Sequence, residues 1–442
     1  MVKAEILKRA KDVERKYLIA DGCYILGVLE KGVTVYNQQV RAHNLAWALW
    51  ELKRTDIKNV AIIGGGIGGV TFAACVLSIF DKSTKITIFE RLSDLHPIQQ
   101  GCDTRWLHPR IYGWPEYGSR APGASLPVLN WSEGRASDVA RSTLNEFARC
   151  CDAFDPSSER LCVYLNLKNI QLDVPSRRIS FIGDRAVRSG PFFRIDHSEG
   201  GSNDYDCVVL ATGFGLEPGV HDFSVNSYWR NDQYAQPKLN GIQHRYLVSG
   251  FGDGGIVDLC RLTIERYRQD TIIYEIFGNR LEKFEEIFRE DLGVDIETVD
   301  LYKLLTAYES DWLRQPLKMI SQRLRKDTYA VFHASGRDGK ISEFSELFSN
   351  NSSILNRLML YLLYRCGAFA LRYGDLGDAI SEFGISPENV ICRHGANMFE
   401  NLRTIIKDFD RHETTLQSIK TKRGQSAHRL WEPGAFRSVN NH

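Results

Sequence analysis

The sequence predicts an α/β protein: a doubly wound domain with an inserted β-meander, then a mainly helical C-terminal region. Three observations carry this. From Lys58 to Glu90 a β-branched run, a glycine-rich turn, an apolar helical stretch, a second β-branched run and a carboxylate follow one another. Short alternating stretches cluster around Cys162 to Leu165, Ile170 to Val174 and Ile179 to Ile182. Beyond Asp270 helical spacing dominates, with a few strands such as Thr328 to His333 and Asn389 to Cys392.

Taken in chain order, Tyr17 to Ala20 and Cys23 to Leu26 read as strands around an Asp21-Gly22 turn, with a third at Val33 to Tyr36. Ala42, Leu45, Ala46, Leu49 and Leu52 recur at helical spacing, so residues 1–57 form an N-terminal extension whose helix rests on the doubly wound domain. Residues 58–270 form that domain, with the meander inserted at about 155–200 between parts of a parallel sheet. A helix from Ala136 to about Asp152 carries Ala140, Leu144, Phe147, Ala148 and Cys151 on one face. Strands at Cys207 to Leu210 and Tyr246 to Ser249 each run into a glycine-containing turn. Residues 271–442 form the helical region, a substrate or lid domain, ending in a basic, polar tail from Lys420. No internal repeat is read in the chain.

Composition narrows the function classes. The 442 residues are 43% hydrophobic, 11% aromatic and 25% charged, which excludes disordered, collagen-like and coiled-coil architectures. With 56 basic and 55 acidic residues the formal charge is +1, so no global field draws the chain to nucleic acid or an anionic membrane. The ten cysteines form no CxxC pair and no Cys/His cluster at zinc spacing, so neither a metal nor a redox dithiol is expected. The charged N-terminus does not resemble a secretory leader, and the apolar run Leu358 to Tyr364 is too short to span a bilayer. A reducing cytoplasm is the expected location.

Gly64, Gly66 and Gly69 fit G-x-G-x-x-G after a strand and before a helix. The first glycine permits a tight turn, the second lets backbone approach a pyrophosphate, and the third lets helix and strand pack closely. The helix opening at Ile67 offers free N–H groups and its positive dipole end to the phosphates. Glu90, closing the second strand, sits where a carboxylate accepts a ribose 2′-hydroxyl and repels a 2′-phosphate, although Arg91 beside it softens that exclusion. If the glycines made only a tight turn, this acid would be unexplained.

Together with Val208-Val209-Leu210-Ala211-Thr212-Gly213 and Tyr246-Leu247-Val248-Ser249-Gly250-Phe251-Gly252-Asp253, the glycine turn resembles the FAD-binding flavoproteins with two dinucleotide-binding domains, the glutathione-reductase-like group. The resemblance covers roughly Lys58 to Glu265, with gaps, and implies a Rossmann-like FAD-binding domain. It implies that Thr212 and Gly213 pass near the cofactor, that Gly252 and Asp253 form the turn whose aspartate binds the flavin ribityl chain, and that Glu90 holds the adenosine ribose. Asp253 also reads as a simple helix cap. Only Phe214 to Arg245 separate the second and third motifs, too few residues for the nicotinamide domain that some members insert there, and none is expected elsewhere. NAD(P)H is left as a transient reductant.

The loop after Glu90 is aromatic and basic, and the resemblance runs it past the flavin ring, which makes Arg105 and His108 catalytic candidates. The Trp and Tyr side chains of this loop, with prolines beside them, are more often packing anchors than catalytic groups. Near the C-terminus Arg393 and His394 follow a strand and precede Gly395, offering an anion clamp and a proton shuttle, or a satisfied structural histidine. The expected function is FAD-dependent oxidation of a small organic substrate, with oxygen or another acceptor taking the electrons. An oxidase or dehydrogenase is favoured over a monooxygenase because no nicotinamide domain is seen. The alternative is a sensor or interaction protein with a structural FAD or NAD, and a nucleic-acid-modifying flavoprotein rests only on Lys420, Lys422, Arg423 and Arg429.

Overall fold

The computed structural model describes residues 2–29, 33–53, 55–213, 227–238, 240–293, 299–334, 341–349, 352–422 and 428–437. The chain divides into two compact units. One comprises Met1–Asp103, Gly123–Gly215 and Asn397–His442, the other Thr104–Pro122 and Leu216–Ala396.

The first unit begins with helix α1 (Val2–Tyr17), strands β1 (Leu18–Ala20) and β2 (Cys23–Ile25), and helix α2 (Val35–Lys53). The third strand expected at Val33 to Tyr36 is instead the entry to α2. Thr34 caps this helix, its Oγ1 accepting from the Asn37 N–H at 3.0 Å, and that cap outweighs the β preference of a short β-branched run. Strand β3 (Asn59–Ile63), helix α3 (Ile67–Ile79), strand β4 (Lys85–Phe89) and helix α4 (Ala136–Phe154) come next. The meander is a set of long hairpins, β5 (Leu161–Asp173), β6 (Arg178–Ser189) and β7 (Phe192–Asp204), before β8 (Cys207–Leu210).

These strands form one eight-stranded sheet in the order β1-β2-β8-β3-β4-β5-β6-β7. Strands β2, β8, β3, β4 and β5 run parallel, and the hairpins continue the edge antiparallel. The period of two sorts the side chains. Val60 and Ile62 enter the core beneath α2, α3 and α4, while Ala61 and Ile63 enter the core on the other face. Helix α3 is apolar all round and buried at every position except Gly68, as a helix enclosed by neighbours must be.

The second unit holds a four-stranded parallel sheet, β9 (His244–Ser249), β10 (Thr328–His333), β11 (Phe369–Arg372) and β12 (Val390–Cys392), in the order β11-β10-β9-β12. Helix α5 (Asp253–Thr263) follows β9, α6 (Ile354–Arg365) follows β10 and α7 (Leu376–Phe383) follows β11. The C-terminal half therefore carries a second α/β core beside its helices. Counting each unit's central parallel strands from the one before its first glycine turn, both sheets read 3-2-1-4: β5-β4-β3-β8 in one and β11-β10-β9-β12 in the other. The two units thus share one strand order.

Candidate functional site

The first glycine turn is built as its sequence requires. Gly64 has φ of +112°, closed to most side chains, and a Cβ there would lie 2.3 Å from the Ala211 carbonyl oxygen. A Cβ on Gly69 would lie 2.0 Å from the Gly64 oxygen. A Cβ on Gly66 would meet nothing within 4 Å, so the space above the turn is open where a phosphate would approach. Gly66 is also the N-cap of α3 and brings no side chain to occupy the helix N–H groups.

Two polar groups flank this opening. Glu90 is buried, its carboxylate accepting from the N–H of Gly65 at 2.6 Å and of Leu92 at 2.8 Å. Burial pushes its carboxyl above the ordinary range, against the pull of those two donors. With two acceptor sites filled, the carboxylate retains lone pairs for a ribose. At the end of β8, the Thr212 hydroxyl is buried with no hydrogen-bond partner among the described residues. An orphan hydroxyl beside an open glycine turn fits a dinucleotide, which would satisfy it.

Gly250, Gly252 and Gly255 repeat this construction in the second unit, where the sequence reading expects no further nucleotide turn. Gly250 has φ of +116°, and a Cβ there would lie 2.2 Å from the Arg393 carbonyl oxygen. A Cβ on Gly255 would lie 1.9 Å from the Gly250 oxygen, and Gly252, the N-cap of α5, is open. The surrounding backbone bonds match as well. Gly64 and Gly250 N–H donate to the last residues of β4 and β10, at 2.7 and 3.2 Å. Ala211 N–H donates to Ile63 at 2.8 Å, and Arg393 N–H to Ser249 at 2.7 Å. The segment that sequence resemblance assigns to a flavin ribityl contact is thus a glycine turn in its own parallel sheet, and the spacing of its three glycines is the sequence signal for it.

The two turns carry different side chains. Asp253 stands where the first turn has Ile67, and its Oδ1 accepts from the Ser353 N–H at 2.8 Å and the Asn356 side-chain amide at 2.7 Å. That carboxylate is engaged by the first turn of α6. Arg393 and His394 replace Ala211 and Thr212. Arg393 Nε donates to Asp258 at 2.8 Å. Asp258 is also bonded by Arg105 and, at 3.1 Å, by Arg261, while Asp232 accepts from Arg105 at 3.0 Å and Arg261 at 2.7 Å. Burial raises the Asp258 carboxyl, but the Arg105 and Arg393 charges outweigh it and hold the group at about 2.

At the strand ends, His333 Nε2 donates to the Gly374 carbonyl at 3.0 Å. Burial holds this imidazole's pKa below its usual value, and its Nδ1 accepts a hydrogen bond from the Ser249 hydroxyl at 2.7 Å. Ser249 Oγ in turn accepts from His394 Nε2 at 2.9 Å.

Of the residues singled out in the sequence, Gly64, Gly66, Ile67, Gly69, Glu90, Thr212 and Gly213 come together around the first turn. Arg91 follows Glu90 and is exposed. Gly252, Asp253, Arg393 and His394 come together around the second. Arg105 and His108 belong to the second unit as well. Arg105 is buried in the carboxylate network with its guanidinium 4.0 Å from the Tyr228 ring centroid. His108 Nδ1 accepts from the Arg110 and Ile111 N–H groups, both at 3.1 Å, which braces a turn of the loop. Among the described residues no group of three or more His, Cys, Asp or Glu side chains could hold a metal ion, and no helix is long and apolar enough to cross a membrane.

No protein-family model matches the chain, and no curated protein does. Among solved structures, the polycyclic ketone monooxygenase from the thermophilic fungus Thermothelomyces thermophila aligns over 59% of this chain at 14% identity, with a TM-score of 0.27. The alignment spans 42% of that protein, less than half its length, and a likeness this slight carries no assignment.

Proposed function

We propose that the chain is an FAD-dependent oxidoreductase that holds two dinucleotides, FAD at the Gly64–Gly69 turn and a nicotinamide dinucleotide at the Gly250–Gly255 turn. The observation that carries the reading is the position-by-position match of the two turns, each a Rossmann-type glycine cradle at the head of a 3-2-1-4 parallel sheet. Gly66 and Gly252 leave room for the pyrophosphates, and the first turns of α3 and α5 offer N–H groups to them. Glu90 would accept from the FAD adenosine ribose, and Thr212 would donate to the cofactor. Bound FAD would supply two-electron redox chemistry, with a reduced nicotinamide as the hydride source and a small organic substrate or oxygen as the acceptor. The preference for an oxidase rests on a missing nicotinamide domain, and the second turn removes that ground.

The test is the visible spectrum of the purified protein, identification of the heat-released chromophore, and anaerobic addition of NADH and NADPH. FAD that bleaches with a nicotinamide supports the reading. FAD that stays oxidised with both sinks the two-nucleotide form, and a colourless protein that cannot be loaded with FAD sinks the flavoprotein assignment.

A further inference from the structure

The loop that follows Glu90 closes over the first glycine turn at one backbone contact. The His96 N–H donates to the Gly65 carbonyl at 2.7 Å. Leu95 packs beside it, its Cδ2 2.6 Å from where a Cβ on Gly65 would lie. The Gly65 carbonyl and the Gly66 N–H share one planar trans peptide and point in opposite directions. Holding the carbonyl toward the loop therefore turns the Gly66 N–H away from the loop. That N–H has no acceptor among the described residues, and the space beside Gly66 is open. The preceding peptide is fixed in a similar way, by the Gly65 N–H that donates to the Glu90 carboxylate.

His96 makes this contact from an unfavourable state. It has φ of 48° and ψ of 42°, the left-handed region that residues other than glycine enter rarely, and Pro97 follows it. Its side chain is buried, which lowers the ring's pKa to about 4 and keeps the ring neutral. The Thr143 hydroxyl on α4 gives its one proton to the carbonyls of Val139 and Ala140, at 3.0 and 2.9 Å, so its oxygen accepts from the His96 ring Nδ1–H at 3.2 Å. The other ring nitrogen, Nε2, is buried with no partner among the described residues. Backbone strain and an unpaired buried nitrogen both oppose folding, and such features cluster where geometry serves a ligand.

Resting on the reading of Gly64–Gly69 as the FAD turn, we propose that His96 is the positioning residue of that turn. The ring, fastened to Thr143, holds the loop on the turn, and the backbone N–H grips the Gly65 carbonyl so that the Gly66 N–H meets the cofactor diphosphate. His96 acts through the peptide between Gly65 and Gly66, and the loop, the turn and α4 all belong to the first unit.

The experiment follows FAD release from the loaded full-length protein by flavin fluorescence, together with the phosphorus NMR resonances of the bound diphosphate and the Tm of the flavin-free form. Thr143→Val removes the ring's partner, and His96→Gly removes the ring while keeping a left-handed backbone. Both variants are expected to release FAD about tenfold faster or more, as the weakening of a hydrogen bond to a charged group implies, and to shift the phosphorus resonances. Thr143→Ser, which keeps the hydroxyl, is expected to release FAD within about threefold of the parent rate. Parent-like release from Thr143→Val and His96→Gly overturns the positioning role while leaving the FAD turn standing. Release from Thr143→Ser as fast as from Thr143→Val, or faster release that only follows a fall in Tm with the phosphorus resonances unmoved, makes the contact structural and overturns the role as well. A parent protein that cannot be loaded with FAD overturns the reading of the turn and the proposal with it.

Discussion

The glycines of the first turn divide into two kinds, and substituting one of each separates binding from folding. A Cβ on Gly69 would sit 2.0 Å from the Gly64 carbonyl oxygen, against a usual carbon–oxygen approach of about 3.3 Å. Gly69→Ala must open the turn by more than about 1 Å, and α3, buried along nearly its whole length, has nowhere to move. Overpacking of this kind costs about 1–3 kcal/mol, and a clash with backbone falls at the upper end. For a unit of this size a loss of about 3 kcal/mol corresponds to a fall in Tm of roughly 6–12 °C. Gly66 has φ of −68° and ψ of 179°, extended backbone that any residue adopts, and its Cβ direction is empty to 4 Å. Gly66→Trp is therefore expected to melt within a few degrees of the parent while purifying without flavin. Thermal melts and the ratio of flavin to protein absorbance read both quantities. A Gly66→Trp protein with full flavin, or a Gly69→Ala protein with unchanged Tm, would refute the reasoning.

Thr212→Val removes a buried hydroxyl that has no partner among the described residues, so the flavin-free protein should be as stable as the parent or slightly more so, while flavin dissociates faster; a slower or unchanged release rate counts against Thr212 as a ligand. Asp253→Ala should leave flavin occupancy unchanged and lower Tm, because its carboxylate serves the N-terminus of α6; loss of flavin in a protein of normal Tm would restore the ribityl reading. Asp258→Asn leaves three arginines facing one remaining aspartate and should cost about 2–3 kcal/mol at neutral pH. The Asp258 carboxyl is depressed from 3.8 to about 2, so its stabilisation is complete above about pH 4 and is lost as pH falls through about 2. Melting curves of the two proteins should therefore converge in acid, and a gap that persists below about pH 2 would contradict the assignment.

The first turn is legible from sequence because all its determinants are local. A β-branched run, three glycines at fixed spacing, a helical stretch and a strand-end acid lie within Lys58 to Glu90, and each acts through its own backbone or its neighbour's. The second turn has the same glycine spacing but spreads its remaining determinants. Its second strand begins at Thr328, its third at Phe369 and its fourth at Val390, so the helices between them dominate the local pattern and the parallel sheet stays hidden. Its strand-end residue is Ala334, which removes the acidic marker, and Asp253 in the turn suggests another motif altogether.

The site residues divide the same way. Gly64, Gly66 and Gly69 declare a role that depends on lacking a side chain, which the backbone alone demands. Arg105 and His108 look like catalytic groups because residue type reveals a capacity for chemistry and not where that capacity is already used. The tertiary structure binds Arg105 to Asp258 and Asp232 and turns His108 onto two backbone N–H groups. It also brings Ser249, His333 and His394 into one chain from the ends of three different strands. Sequence determined the turn, because steric rules operate between adjacent residues. Only tertiary structure decided that the second glycine spacing heads a parallel sheet of its own, and which polar groups near each turn are already occupied, because hydrogen bonds and ion pairs between distant segments depend on register and burial.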